Sequence, residues 1–260
     1  MSRRMRSRTP RLALQAAIVA WLALSGGAAA AQSLTLSPAV VPLAGRPGQS
    51  ATQELRLFNG TRQALDFALV AKDVVVRDGA RALVDAGALR GSIAATAVFS
   101  TATVRIGPGE QRRVRVTLTL PPQLAGRAVM ILFQGTTRIG GSATASLGSL
   151  VTFDLSGRQS VAIGELRAEP PTASANARIA LPVTNDGGEP VIARGAAALV
   201  SAGGAIVGKL ALGAHRLLPG ERAVLEADYA GALPSGSYRV IATVEGAQGA
   251  WTRTAQLTVP

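Results

Sequence analysis

The chain has 260 residues, no cysteine, one histidine, two Trp, two Tyr and five Phe. That length leaves room for one or two domains, and that composition excludes a disulfide framework, thiolate catalysis and a Cys/His zinc cluster. The net charge of +12 suggests a nucleic-acid binder until it is divided along the chain. Residues 1–31 hold five Arg and no acid, residues 32–160 hold 14 basic and seven acidic residues, and residues 161–260 hold eight of each.

Arg3, Arg4, Arg6, Arg8 and Arg11 precede an apolar run from Leu12 to Leu24, which ends in small residues at Ala29-Ala30-Ala31. This order predicts a secretory signal peptide over residues 1–31, of the general secretory (Sec) type and cleaved after Ala31. The apolar run falls short of the roughly 20 residues a helix needs to cross a bilayer. No later segment is long and apolar enough to span as a helix, so the mature chain is expected to carry no integral membrane segment and to reside in the periplasm.

From Gln32 onward the chain reads as strand after strand. Glu54 to Phe58, Leu65 to Val70, Arg113 to Leu120 and Tyr238 to Val244 are short, rich in Val, Leu, Ile and Thr, and bounded by turn residues. In the clearest of them, Val114, Val116, Leu118 and Leu120 should face a core while Arg113, Arg115, Thr117 and Thr119 face water. The Ala-rich stretch Ala193 to Ala198 competes with Gly195, Gly203 and Gly204 and is read as strand and turn. Asp78-Gly79 reads as a hairpin turn. Asn59-Gly60-Thr61 matches a glycosylation sequon but reads better as a turn.

An internal repeat organises these strands. Leu55-Arg56-Leu57-Phe58-Asn59-Gly60 is answered by Leu181-Pro182-Val183-Thr184-Asn185-Asp186-Gly187. Ile106-Gly107-Pro108-Gly109-Glu110 is answered by Leu217-Leu218-Pro219-Gly220-Glu221, Leu120-Pro121 by Leu233-Pro234, and Gly126 by Gly236. The first copy carries an insertion over residues 74–103. Two copies of this size, with strand signals every 8 to 12 residues, predict an all-β chain of two tandem immunoglobulin-like β-sandwiches, rather than one large barrel. The predicted domains are residues 32–160 and 161–260, with the boundary near Arg158 to Ile163. Neither has the Cys pair or core Trp of antibody domains, so aliphatic packing must hold both cores.

The opening Ser33-Leu34-Thr35-Leu36-Ser37-Pro38, the strand ending at Asn59, Ile106-Gly107-Pro108-Gly109-Glu110 and Thr119-Leu120-Pro121 together resemble the PapD-like group of bacterial periplasmic proteins. The resemblance extends over the mature chain and implies two immunoglobulin-like domains. It also implies a chaperone or assembly factor that binds an exported, pilin-like subunit by lending it a strand, with an outer-membrane usher as a further partner. The segment suited to this is Ser149 to Leu155, preceded by the Gly-, Ser- and Thr-rich loop Thr136 to Gly148. Leu147, Val151, Phe153 and Leu155 share one side of that strand by period two. The same four residues also suit the first domain's own core, and the pattern leaves both roles open. The carboxylate-gripping Arg and Lys of pilus chaperones do not carry over: the first basic residue of the mature chain is Arg46, and no Lys lies near residues 149–155. The Asp-Arg-Glu-Ser signature of that group is absent as well.

No catalytic, cofactor-binding or metal-binding set is predicted. His215 has no Gly-x-Ser-x-Gly elbow to serve, and Asp73, Asp78 and Asp85 do not have calcium-loop spacing. Arg112, Arg113 and Arg115 form the tightest basic cluster. Their strand has no aromatics for base stacking, so it reads as a docking face for an acidic exported partner rather than for nucleic acid. The alternative to a chaperone is a structural or adhesive β-sandwich protein of the cell surface. An enzyme or carbohydrate-binding module stands third, resting only on His215 and the scattered carboxylates. N-terminal sequencing of the exported protein should begin at Gln32; a product that keeps its Arg-rich start would contradict the leader assignment.

Overall fold

Alternating apolar and polar residues carry the described chain through strand after strand. The computed structural model describes residues 33–139, 143–246 and 249–260; the predicted signal peptide lies outside them. The first half contributes β1 (Leu34–Ser37), β2 (Val40–Ala44), β3 (Ser50–Asn59), β4 (Leu65–Arg77), β5 (Ala80–Asp85), β6 (Val98–Phe99), β7 (Thr103–Ile106), β8 (Gln111–Thr119), β9 (Ala128–Ile139) and β10 (Ala143–Asp154). The second half contributes β11 (Val161–Ile163), β12 (Arg167–Glu169), β13 (Ala177–Asn185), β14 (Val191–Ser201), β15 (Ile206–Leu217), β16 (Arg222–Tyr229), β17 (Gly236–Gly246) and β18 (Gly249–Val259). A 3-10 turn at Ala94–Thr96 is the one helical element among the described residues.

The strands form two stacked pairs of sheets. In the first half, β1-β3-β8-β6 faces β2-β10-β9-β4-β5, with β7 also on β4. In the second, β13 carries β11, β12 and β16, and faces β15-β14-β17-β18. The chain passes from the first sheet to the second after a cis Ser37-Pro38 bond. Each pair encloses its own core. Leu55, Leu57, Phe67, Val116, Phe133 and Phe153 are almost wholly buried in the first, where Phe67 meets Phe133 edge-on at 6.5 Å. Ile179, Leu181, Leu199, Leu225 and Val240 fill the second. Each such side chain contributes about 1.5–3 kcal/mol by leaving water.

The strand expected at Arg113 to Leu120 is β8, with Val114, Val116 and Leu118 at most 1% exposed. Ala193 to Ala198 lies within β14. One expectation changes. Residues 136–148 do not form a loop ahead of a strand: β9 runs to Ile139 and β10 starts at Ala143, pairing from Ala143↔Ile139 onward. Thr and Ser suit a strand ladder as well as a turn, and residues 140–142 lie outside the described set. The insertion over 74–103, whose form the residue pattern leaves open, is built of strands and turns. It prolongs β4, turns at Asp78 and Gly79 (φ 53° and 84°), returns as β5, and reaches β8 through the 3-10 turn, β6 and β7. Asp73, 2% exposed, accepts from Ile93 N and Ala94 N at 3.0 Å each and so holds that turn in the core. Asp85 pairs with Lys72 at 2.8 Å.

The repeated Asn and Pro-Gly-Glu motifs meet at one junction in each half. Asn59 and Asn185 are both 0% exposed. Asn59 Nδ2 donates to the carbonyls of Gln63, Ile106 and Gly107, and Asn185 Nδ2 donates to those of Glu189 and Leu217. Their Oδ1 atoms accept from Thr61 N and Gly187 N in Asx turns. The Pro-Gly turns complete the junction. Gly109 and Gly220 have φ of 70° and 79°, as the third position of a type II turn requires. Gly109 N and Gly220 N donate to Asn59 O and Asn185 O. Glu110 and Glu221 then reach back to Gly107 N and Leu218 N at 3.0 and 2.8 Å. A buried Asn59 has no free amide, which closes the sequon as a modification site. Replacing Asn185 by Ala strands two carbonyls without a donor, a loss of about 2–3 kcal/mol that should lower Tm by about 5–10 °C for a chain of this size. A thermal melt shifted by less than about 2 °C would show that the junction is dispensable.

Candidate functional site

Four features outside the cores have binding chemistry to offer: the β10 edge, the contact between the two halves, the cleft beside it, and the basic face of the first sheet. Residues Leu34–Pro260 form one compact unit.

In β10 and at Leu155, just past its end, the structure separates the four residues of the predicted stripe. Val151 and Phe153 are 0% and 1% exposed in the first core, while Leu147 and Leu155 pack against it half-buried. On one side β10 pairs with β9 from Ala143 to Thr152, with a register shift between Thr144 and Ser146. On the other, β2 covers it in parallel only from Leu150↔Val40 to Asp154↔Ala44. Val151 and Phe153 therefore offer a partner neither side chain nor backbone, because the core takes the first and β2 and β9 take the second. The backbone ahead of them differs. Leu150 N donates to Ala39 O, and by the two-residue period Gly148 and Ser146 point their N–H groups the same way. No strand among the described residues pairs there. The unpaired row is a template for an added strand.

Behind that strand, the two halves are joined by a small apolar cluster and two polar clamps. Val74, Ala128 and Leu150 of the first half bury Leu218 of the second. In one clamp Glu189, 2% exposed, accepts from Leu155 N at 3.0 Å and pairs with Arg127 at 3.3 Å. In the other, the tip of the β4–β5 hairpin reaches across: Gly79 O accepts from Arg222 N, and Arg81 pairs with Glu221 at 2.8 Å while also donating to Arg216 O. The turn glutamate that pairs with Arg112 in the first half thus meets a cation of the other half in the second. The sequence held no signal for Glu189 or Arg127, since neither belongs to a periodic strand pattern.

A cleft of about 390 Å³ lies beside this contact, lined by Leu43, Thr152 and Asp154 of the first half and Arg194, Arg216 and Glu245 of the second. Asp154 is engaged by Ser156 N and by Gln159 Nε2. His215 is exposed on β15 opposite Ala193, and no hydrogen bond or ion pair joins its imidazole to another described residue. Among the described residues no group of His, Asp or Glu is arranged to hold a metal ion, and no helix is long and apolar enough to cross a membrane.

The basic cluster is also regrouped. Arg113 and Arg115 share the outer face of the first sheet, but Arg112 stands at the edge of β8, opposite the buried Leu57, and pairs with Glu110 at 3.1 Å. Arg56 takes its place, directly opposite Arg113. Arg56 was missed from sequence; alternation in Glu54-Leu55-Arg56-Leu57 is the signal that could have placed it outward, but only the β3–β8 register shows which residues it faces.

No family model matches the chain, and no curated protein matches it. Solved structures do. The Class 5 Fimbriae Chaperone CfaA is 15% identical over 88% of this chain and 100% of its own, with a TM-score of 0.45. The CupB2 chaperone of Pseudomonas aeruginosa is 12% identical over 87% of this chain and 100% of its own, at 0.43. The CsuC-CsuE chaperone-tip adhesion subunit pre-assembly complex from archaic chaperone-usher Csu pili of Acinetobacter baumannii is 12% identical over 88% and 99%, at 0.40. The strand pairing of this chain by itself defines a two-sandwich all-β protein.

Removing the Glu189 carboxylate should loosen the segment between the halves, because it strands the Arg127 guanidinium and the Leu155 N–H. Glu189→Ala is expected to cost about 2–3 kcal/mol and to speed proteolytic cleavage between Leu155 and Gln159. Unchanged cleavage at that segment would show that the carboxylate does not hold it.

Proposed function

We propose that this chain is a periplasmic PapD-like chaperone or assembly factor that binds an exported, pilus- or fimbria-like subunit by β-strand addition. The observation that carries this reading is the one-sided pairing of β10. From Ser146 to Ser149 its inner side is laddered to β9 while no strand among the described residues pairs with its outer side, and only at its lower end does the Ser149 hydroxyl reach Pro38 O, at 2.8 Å. An incoming strand finds the outward N–H and C=O groups of Ser146 and Gly148 already held in place by β9, so it loses only its own conformational freedom on pairing. Leu147, half-buried beside this edge, offers an apolar contact for the client's core.

The resemblance in residues 33–38, 59, 106–110 and 119–121 supports the same reading, as does the Arg-rich leader expected to direct the chain to the periplasm. We take residues 32–160 and 161–260 as the two domains, with the second held against the first by the clamps at Glu189 and Glu221. No catalytic role is assigned to His215.

Ser146→Pro tests the edge. Its N–H faces the open side, so proline leaves the β9 ladder intact while blocking a strand on the other side. Photo-crosslinking from position 147 in cells should give an adduct with an exported protein in the natural chain and none in the proline variant, at closely similar melting temperatures. Equal adducts in both would place client contact elsewhere. The absence of any adduct from the folded natural chain would favour a structural or adhesive sandwich.

A further inference from the structure

The outer face of the β1-β3-β8-β6 sheet carries an imbalance of charge that the fold itself does not require. Arg56 on β3 lies directly opposite Arg113 on β8, and Glu54 lies opposite Arg115. Like charges on facing strand positions destabilise a sheet. The three guanidiniums have one carboxylate among them. Glu54 Oε1 meets Arg56 Nε at 3.1 Å and Arg113 Nε at 3.8 Å, and Arg115 has no carboxylate partner among the described residues. Arg56 and Arg113 are exposed, with 56% and 65% of their side-chain surface open. Below them the face ends in two hydroxyl pairs, Thr52 with Thr117 and Ser50 with Thr119, each at 2.8 Å.

From this arrangement we infer that the face is a docking surface for an acidic, extended segment of a partner protein, separate from the β10 edge, which belongs to the other sheet. The spacing specifies the partner. Arg113 and Arg115 are two residues apart on one side of a strand, about 7 Å, and Arg56 stands about 5 Å from Arg113 across the ladder. Carboxylates at alternate positions of an extended chain repeat at the same 7 Å or so, so two of them can meet Arg115 and the Arg56–Arg113 pair at once. Flanking Ser and Thr hydroxyls can hydrogen-bond such a chain's backbone. A bilayer fits less well. The exposed apolar side chains, Phe58 (38%) and Val98 (66%), stand near opposite ends of the face, opposite Gln111 and Thr117, and leave no central apolar patch to insert. Nucleic acid fits less well too, because no aromatic lies between the three arginines.

The test uses the mature full chain and a peptide of about twelve residues alternating Glu and Thr, with phosphatidylglycerol vesicles and a single-stranded oligonucleotide as comparison probes. The peptide should bind at low ionic strength and weaken by about tenfold or more between about 20 and 200 mM NaCl. Arg56→Gln with Arg115→Gln should weaken it by at least about tenfold without lowering Tm, because it removes a like-charge contact. Arg112→Gln should leave binding unchanged. Glu54→Gln should strengthen it, because the one internal competitor for Arg56 and Arg113 is gone. Failure of the peptide to bind, weaker binding in Glu54→Gln, an equal loss in Arg112→Gln, or tighter retention of vesicles or oligonucleotide would overturn the assignment. Because Ser146→Pro leaves this face untouched, the outcome is independent of whether the β10 edge takes a client.

Discussion

Two buried carboxamides hold this architecture in register. Asn59 and Asn185 each end a strand, and each side chain ties the end of that strand to the Pro-Gly-Glu turn that launches the strand pairing beside it, β8 in one half and β16 in the other. A carboxamide suits the position because it donates twice and accepts at once, so one small side chain satisfies carbonyls of the loop that follows its own strand and of the segment that enters the Pro-Gly turn. A carboxylate of the same shape would face those carbonyls with no proton to give. Remove the amide and the turn, the strand end and the following loop each lose a partner in a place without water.

The second junction shows how a repeated unit acquires a second use. In the first half Glu110 braces its turn and pairs with the neighbouring Arg112. In the second, Glu221 braces the same turn but its charge is met by Arg81, carried there by the hairpin that lengthens the first half. Glu189, in the loop closed by Asn185, does likewise for Leu155 and Arg127. Both clamps grow from the same junction, so the buried Asn185 orders the contact between halves as well as its own sandwich. That contact buries Leu150 from behind, which fixes the lower part of β10 and leaves its upper part projecting with one ladder.

Much of this was legible in the order of residues, and the remainder was not for definite reasons. Alternation in Arg113 to Leu120 displayed β8 and its inward face, and the recurrence of Asn and Pro-Gly-Glu displayed two similar halves, because both are local patterns. The same alternation could say that Val151 and Phe153 share a side but not that β2 and the core occupy it, since that depends on strands a hundred residues away in sequence. Residues 136–148 looked like a loop because Gly, Ser and Thr are turn formers, yet pairing with each other makes most of them strand. Arg56 was missed: local alternation can place it outward, but its opposition to Arg113 exists only in the β3–β8 register. Glu189 and Arg127 belong to no period at all. Their role arises from folding two halves together.

The reading of this chain as a strand-binding chaperone rests on the open side of β10, and residue-resolved amide hydrogen exchange measures that side directly. In the protein alone, Leu147 and Ser149, whose N–H groups face β9, should be protected, and so should Leu150, which bonds to Ala39. Ser146 and Gly148 should exchange rapidly and become protected only when a client strand is bound. Slow exchange at Ser146 and Gly148 in the isolated chain would mean that the edge is already covered, and rapid exchange persisting in a client complex would mean that the client binds elsewhere.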